Sequence, residues 1–325
     1  FICLAGCCMH KELNTAKGGA VAMAKFWQEN NLVGPLMLPN KGGVAAIAGG
    51  IEPASPSQGG GIKVAGIAGA IFAHRDDKKG EQDAINVAFE AKFGYPLAFP
   101  KTNSTHYQSY CDAGADLILH LTFYQNYIEL MKDRKDSRTL NNMEKNLQMA
   151  LQDIPTLHEL YVLALFSAVI SWPYMLIVHG EGQEDQNILD MGPIHAKFAA
   201  YMQSIIADPM IILTPGADFR VSSLDGQPWM RVNVMFAVWQ LVHTLLHLPG
   251  LTIAFFNGAL ETWERFTEEF APGGLISSMS PKQRKLAWMP PTNDVNEGAL
   301  GARRVIKRSY PKSTELTLNA RQRYK

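Results

Sequence analysis

"LYVLALFSAVISWPYMLIV", residues 160–178, runs for nineteen residues without a charged side chain. Length alone would let it cross a bilayer, which takes about 20 apolar residues. Its flanks do not fit that role, because no cluster of Lys or Arg marks either end. A second uncharged stretch, 232–260, is interrupted by Asn233, Gln240, His243, His247, Pro249, Gly250 and Asn257. Mean hydropathy over the chain is −0.07. Both stretches are therefore expected to be buried helices of a large helical body, with no membrane partner.

The surrounding sequence supports a helical body. From 104 to 132 apolar residues fall at 107, 110, 111, 117, 118, 121, 124, 128 and 131, an amphipathic stripe. Asn141-x-x-Glu144 and Thr156-x-x-Glu159 have the form of capping boxes, and Pro155 suits a first helical turn. Further helices are expected at 187–207, 229–247, 251–270, 281–288, 294–308 and 314–324, with Ser280 and Ser313 as N-caps. Upstream, Met9, Leu13, Ala16, Ala20, Met23 and Phe26–Trp27 recur at helical steps through 5–31. No stretch alternates as a strand would.

The expected fold is mainly α. Residues 1–34 form an N-terminal helix, and 35–100 a Gly/Ala/Ser/Pro-rich linker with short elements, one of them at 64–72. Residues 101–278 form the helical domain, and 279–325 basic C-terminal helices. "GGGIKVAGIAG" (59–69) lacks the Lys-Ser/Thr ending of a phosphate loop and reads as linker.

Formal charge is zero, but unevenly spread. From 281 to 325 eleven basic residues face three acids, or +8. The remainder carries nineteen basic against twenty-seven acidic residues, or −8. Such an end serves a polyanion or lies on the protein's own acidic surface. Of four cysteines, Cys3, Cys7 and Cys8 crowd the first eight residues and Cys111 stands apart. That is not a disulfide framework, and a reducing location, nuclear or cytoplasmic rather than secreted, is expected. "FICLAGCC" makes a poor signal peptide, and the start at Phe1 is expected to be internal to a longer protein.

Four constellations could carry chemistry. Cys7-x-x-His10 places a thiol and an imidazole one helical turn apart, but no second half of a zinc site follows, so zinc is not expected. His243 and His247 share a helix face at zinc-protease spacing, yet Thr244 stands where that motif needs Glu, and packing histidines are expected. The acids of "HGEGQEDQN" (179–187) lack EF-hand spacing and suit a solvated loop. In "TNDVNEGALGARRV" (292–305), Asp294-x-x-Glu297 fits a helix cap. The same acid precedes Arg303, Arg304, Lys307 and Arg308, so a metal-binding carboxylate beside a phosphate-binding face is the other expectation.

Three stretches together, "AGCCMHKELNTAKGG", "TNSTHYQSYCDAGADL" and "LAWMPPTNDVNEGALGARRV", resemble fungal transposase-derived proteins. They are similar to DNA transposases of the hAT and Kyakuja–Dileera–Zisupton kind. Cys7, His10, Leu13 and Asn14 follow the Cys-x-x-His…Leu-Asn pattern, with Leu-Asn one residue late. Thr105-His106-Tyr107-Gln108-Ser109 occupies the place of Thr-Arg-Trp-Asn-Ser, with His and Tyr for Arg and Trp. The resemblance implies an RNase H-like domain interrupted by a helical insertion, with its catalytic strands and two aspartates upstream of Phe1. It implies Glu297 as the third carboxylate on Mg2+ or Mn2+, and Cys7, His10 and Tyr107 as supporting residues. Arg303, Arg304, Lys307 and Arg308 would meet DNA phosphates, and self-association is open. One carboxylate cannot hold a two-metal clamp, so the chain by itself is expected to be inactive. The alternative is a non-catalytic, all-helical binding or scaffolding protein, with Glu297 as a cap and the basic tail on Glu261, Glu264, Glu268 and Glu269.

Overall fold

The computed structural model describes residues 5–50, 58–74, 80–102, 108–183 and 185–323; the side chains of 41, 47, 48, 294–297 and 321–323 are outside the description. The chain is mainly helical, and no strand occurs among the described residues. The first helices are α1 (Cys8–Glu29), α2 (Lys41–Ala48), α3 (Gly61–Phe72), α4 (Gln82–Phe93), α5 (Gln108–Leu119), α6 (Leu121–Asp133) and α7 (Asn142–Ala150). Next come α8 (Ile154–Phe166), a π-helical segment (Ser167–Ser171), α9 (Trp172–His179) and α10 (Gly192–Ala207). Two single turns, α11 (Met210–Leu213) and α12 (Phe219–Ser222), precede α13 (Val232–Leu241) and α14 (Leu248–Phe266). The chain closes with α15 (Pro281–Leu286), α16 (Asp294–Ser309) and α17 (Glu315–Arg323).

The uncharged stretch is the hub. Residues 154–179 run as one continuous helix, covered by α1, α3, α5, α13 and α14. Leu160, Leu163, Phe166, Val169 and Ile170 are each fully buried. A surface helix hides one stripe, whereas this one is apolar all round because it is surrounded. Its π turn has a local cause. Pro173 has no N–H to return to the carbonyl of Val169, and its ring crowds that carbonyl in a regular α-helix. The widened turn relieves the clash, and Leu224 N–H bonds Val169 O at 3.0 Å.

Capping at the start of α8 differs from the sequence expectation. Asp153, not Thr156, is the N-cap, and Asp153 Oδ2 accepts from Thr156 N at 3.0 Å. Glu159 is thereby free to turn inward, where it accepts from Trp27 Nε1 at 2.9 Å and Gly61 N at 2.7 Å. Gly60, at φ +86°, lets the backbone pass that carboxylate; a Cβ there would sit 2.3 Å from Glu159 Oε2. The Asn141–Glu144 capping box forms as the sequence predicts, and Ser280 is the N-cap it predicts, with Gln283 completing a box there. Thr314, rather than Ser313, receives the Thr317 N–H at the start of α17.

The stretch read as linker with short elements proves part of the core. Its "GGGIKVAGIAG" is the start of α3, packed on α5 and α8 with Val64, Ala65, Ala68 and Phe72 buried. Small residues there let helices approach closely instead of leaving the chain loose. The same effect joins the first family-like stretch to α14. A Cβ on Gly18 would lie 2.0 Å from Thr262 Oγ1 and 2.7 Å from the Gly258 carbonyl. The helix expected over 229–247 ends at Leu241, so His243 and His247 do not share a helix face. His247 instead precedes α14, and its ring packs against Trp27 and His158.

Candidate functional site

The two ends of the chain meet at the start of α1. Asn187 anchors the incoming C-terminal segment. Its Nδ2 donates to Arg284 O at 3.0 Å, and its Oδ1 accepts from Met289 N at 3.3 Å. Ile188 N donates to Met289 O at 2.9 Å. The segment then reaches α1, where Cys8 N donates to Pro291 O at 2.9 Å and the Cys7 thiol to Asn293 Oδ1 at 3.3 Å. The first and last family-like stretches are thus in contact across 286 positions.

Asn293, whose carboxamide faces Cys7, holds the N-cap position of α16 without a side-chain cap bond. Asp294 is therefore the first helical residue rather than the cap, and Glu297 follows in the first turns of the helix. The side chains at 294–297 are outside the description, and Tyr107 lies outside the described residues altogether. Cys7 is half-buried at this junction and His10 is exposed one turn along.

Behind Cys7 the motif turns into core. Cys8 Sγ lies 3.7 Å from His195 Nε2, which is 3.3 Å from the Tyr174 hydroxyl. Burial pushes the Cys8 thiol up to about 11 and the His195 imidazole down to about 3. A neutral thiol beside a neutral imidazole is no activated nucleophile. Lys11 is buried, pairs with Glu269 and donates to the Phe266 carbonyl. Glu269 is thus taken by α1 and not by the basic tail.

One turn on, Glu12 is fully buried and hydrogen-bonded to the Ser171 hydroxyl of the π segment. Burial raises its carboxyl to about 8, so it holds its proton at neutral pH. At the other end of the π segment Asp112 accepts from Ser167 Oγ at 2.6 Å and Trp172 Nε1 at 3.0 Å. Asp116 pairs with Arg231 at 3.0 Å, yet burial still lifts it to about 6. Glu159 is lifted to about 7 by burial. None of these acids was singled out as a site by the sequence. The available signal was the heptad-like position of Lys11 and Glu12 between Cys8 and Thr15, on the side of α1 that packs inward.

The basic helix is a different environment. α16 packs on α17, with Leu318 fully buried between them. Arg303 pairs with Glu315, and Lys307 Nζ donates to the Ser313 carbonyl at 3.0 Å. Arg304 and Arg308 are exposed. Lys307 is exposed as well, so the four expected DNA contacts fall into two rows that differ in their partners: Arg303 and Lys307 are bonded within the hairpin, Arg304 and Arg308 face solvent.

A cleft of about 1510 Å3 lies elsewhere, between α1, α3 and the start of α7 over Trp27, Lys63, Asn146 and Glu159. Its described walls all come from residues 20–159.

Among the described residues no three His, Cys, Asp or Glu side chains converge as metal ligands. Mg2+ and Mn2+ require a shell of oxygens. The described side chains at the chain-end junction are a thiol, a carboxamide and, one turn away, an imidazole, none of them an anionic oxygen; the Asp294 and Glu297 carboxylates lie outside the description. Comparison with family models, curated proteins and solved structures returned no match.

Proposed function

We propose that this chain is the helical, DNA-holding part of a transposase-like strand-transfer protein, inactive by itself. The observation that carries this is the junction at Cys7. Two of the family-like stretches meet there through Cys7–Asn293 and Cys8–Pro291, as a site assembled from both ends of a chain would require. The helix that follows presents exposed cations, as a phosphate-binding element would. The metal role of Glu297 rests on the resemblance alone.

The test is binding of the chain to a fluorescent DNA duplex across a salt series. The logarithm of the affinity should fall linearly with log salt concentration. A flat, weak response at all salt concentrations overturns the proposal.

The scaffolding reading is favoured by a different observation. Much of the first family-like stretch is accounted for by packing: Cys8 on His195, Lys11 on Glu269, Glu12 on Ser171 and Gly18 on α14. Under that reading, with Asn293 and not Asp294 at the N-cap, Glu297→Gln costs about 0.3–1 kcal/mol of stability through the lost helix-dipole contact, and DNA binding is absent.

A further inference from the structure

We propose that α16 divides its cations between two tasks: Arg303 and Lys307 lock the α16–α17 hairpin, while Arg304 and Arg308 grip the phosphate backbone of duplex DNA. This rests on the DNA-holding function above and goes beyond it by separating residues that the sequence groups together.

The division follows from helical geometry. Residues four apart lie on one face, and adjacent residues are rotated by about 100°. Arg303 and Lys307 form one row, Arg304 and Arg308 the next. The first row has partners within the hairpin, the Glu315 carboxylate and the Ser313 carbonyl. A cation already held by a carboxylate releases fewer counterions on meeting a phosphate and gains less from it. The second row is exposed and stands one turn apart along the axis; Lys307 of the first row is exposed too, so the rows are separated by their partners and not by exposure. Lys312, exposed in the turn between the helices, extends the same basic end.

The partner is a polyanion and not a lipid surface, because the hairpin uses part of its apolar surface on itself and its exposed apolar residues are dispersed among cations. Ala302 and Ile306 are half-buried against α17, where Leu318 is fully buried. Of the exposed apolar residues of the hairpin, Leu300 lies in the Arg304–Arg308 row itself, Val305 is rotated by about 100° from Arg304, and Tyr310 and Leu316 stand beyond the end of α16 and on α17, so they do not make one continuous face. An interfacial membrane helix needs such a face.

The experiment compares salt dependence of duplex binding among the full chain and three variants. Arg304→Gln with Arg308→Gln should flatten the slope of log affinity against log salt by about 2, close to 0.9 per lost phosphate contact. Glu315→Gln and Arg303→Gln should leave that slope unchanged while speeding amide hydrogen exchange in α17. Far-UV circular dichroism checks that helix content is kept in each. The inference is overturned if the wild type shows a steep slope that survives Arg304→Gln with Arg308→Gln but falls with Arg303→Gln. In that result the DNA-holding function stands and only the division fails. If the wild type shows no salt-dependent binding, the function itself fails and the division with it. Binding to phosphatidylserine vesicles in place of DNA also overturns the inference.

Discussion

Glu12→Gln should make the protein less sensitive to alkaline pH. Glu12 is buried, its carboxyl meets the Ser171 hydroxyl, and its pKa rises from 4.5 to about 8. A carboxyl with a raised folded pKa keeps its proton in the native state where the unfolded chain has lost it. Its stabilising contribution is full below pH 4.5 and disappears as pH rises through 8. At about 1.36 kcal/mol per pKa unit, the loss between pH 5 and pH 8.5 comes to about 4 kcal/mol. Gln is close in shape to the protonated acid and keeps an oxygen for Ser171. Urea unfolding of both proteins across this range should show a gap that widens by about 4 kcal/mol in favour of Glu12→Gln. A gap constant to within about 1 kcal/mol would mean that Glu12 is ionised in the fold, and would refute the reasoning.

The wild-type profile should itself bend. His195, pushed down to about 3, and His120, pushed down to about 4, are neutral in the fold, so their effect on stability rises with pH up to 6.5. Glu12 and Glu159 act in the opposite sense and continue to about 8 and 7. Stability should therefore decline above pH 6.5, as thermal unfolding in a buffer series would show. Gly18→Ala should cost about 1–3 kcal/mol, because its new Cβ meets the Gly258 backbone carbonyl, which cannot rotate away. Asp153→Ala should cost about 1 kcal/mol through loss of the α8 cap. Leu163→Ala, at the fully buried hub, should cost about 2–5 kcal/mol. Denaturant unfolding of each variant checks these values.

The helical class was legible because periodicity and capping are local. Asn141–Glu144 forms the box its spacing predicts, and Ser280 caps α15 as predicted. The second box, at Thr156, was misassigned because Asp153 stands three residues earlier and offers the same N–H groups a carboxylate. The glycines of 59–61 were read as loose chain. Glycine is equally the residue that lets α3 begin against the Glu159 carboxylate, and nothing local separates the two uses. For the candidate site, the sequence brought out Cys7 and the polar turn before Glu297. Their contact depends on Asn187 holding the 284–289 strand of chain, which no motif announces.

By itself the sequence determined that this chain is helical, that its uncharged run at 160–178 is helix, and that its cations collect at one end. These follow from spacing, composition and count, which act over a few residues. Tertiary structure decided which of those features are surface and which are core. It placed Lys11 and Glu12 inside, where Glu269 and Ser171 make burial tolerable. It divided the basic row of α16 by supplying Glu315 to Arg303 and leaving Arg304 to solvent. Burial and pairing depend on partners distant in the chain, so an isolated motif does not specify whether its charge faces a ligand, a neighbouring helix or water.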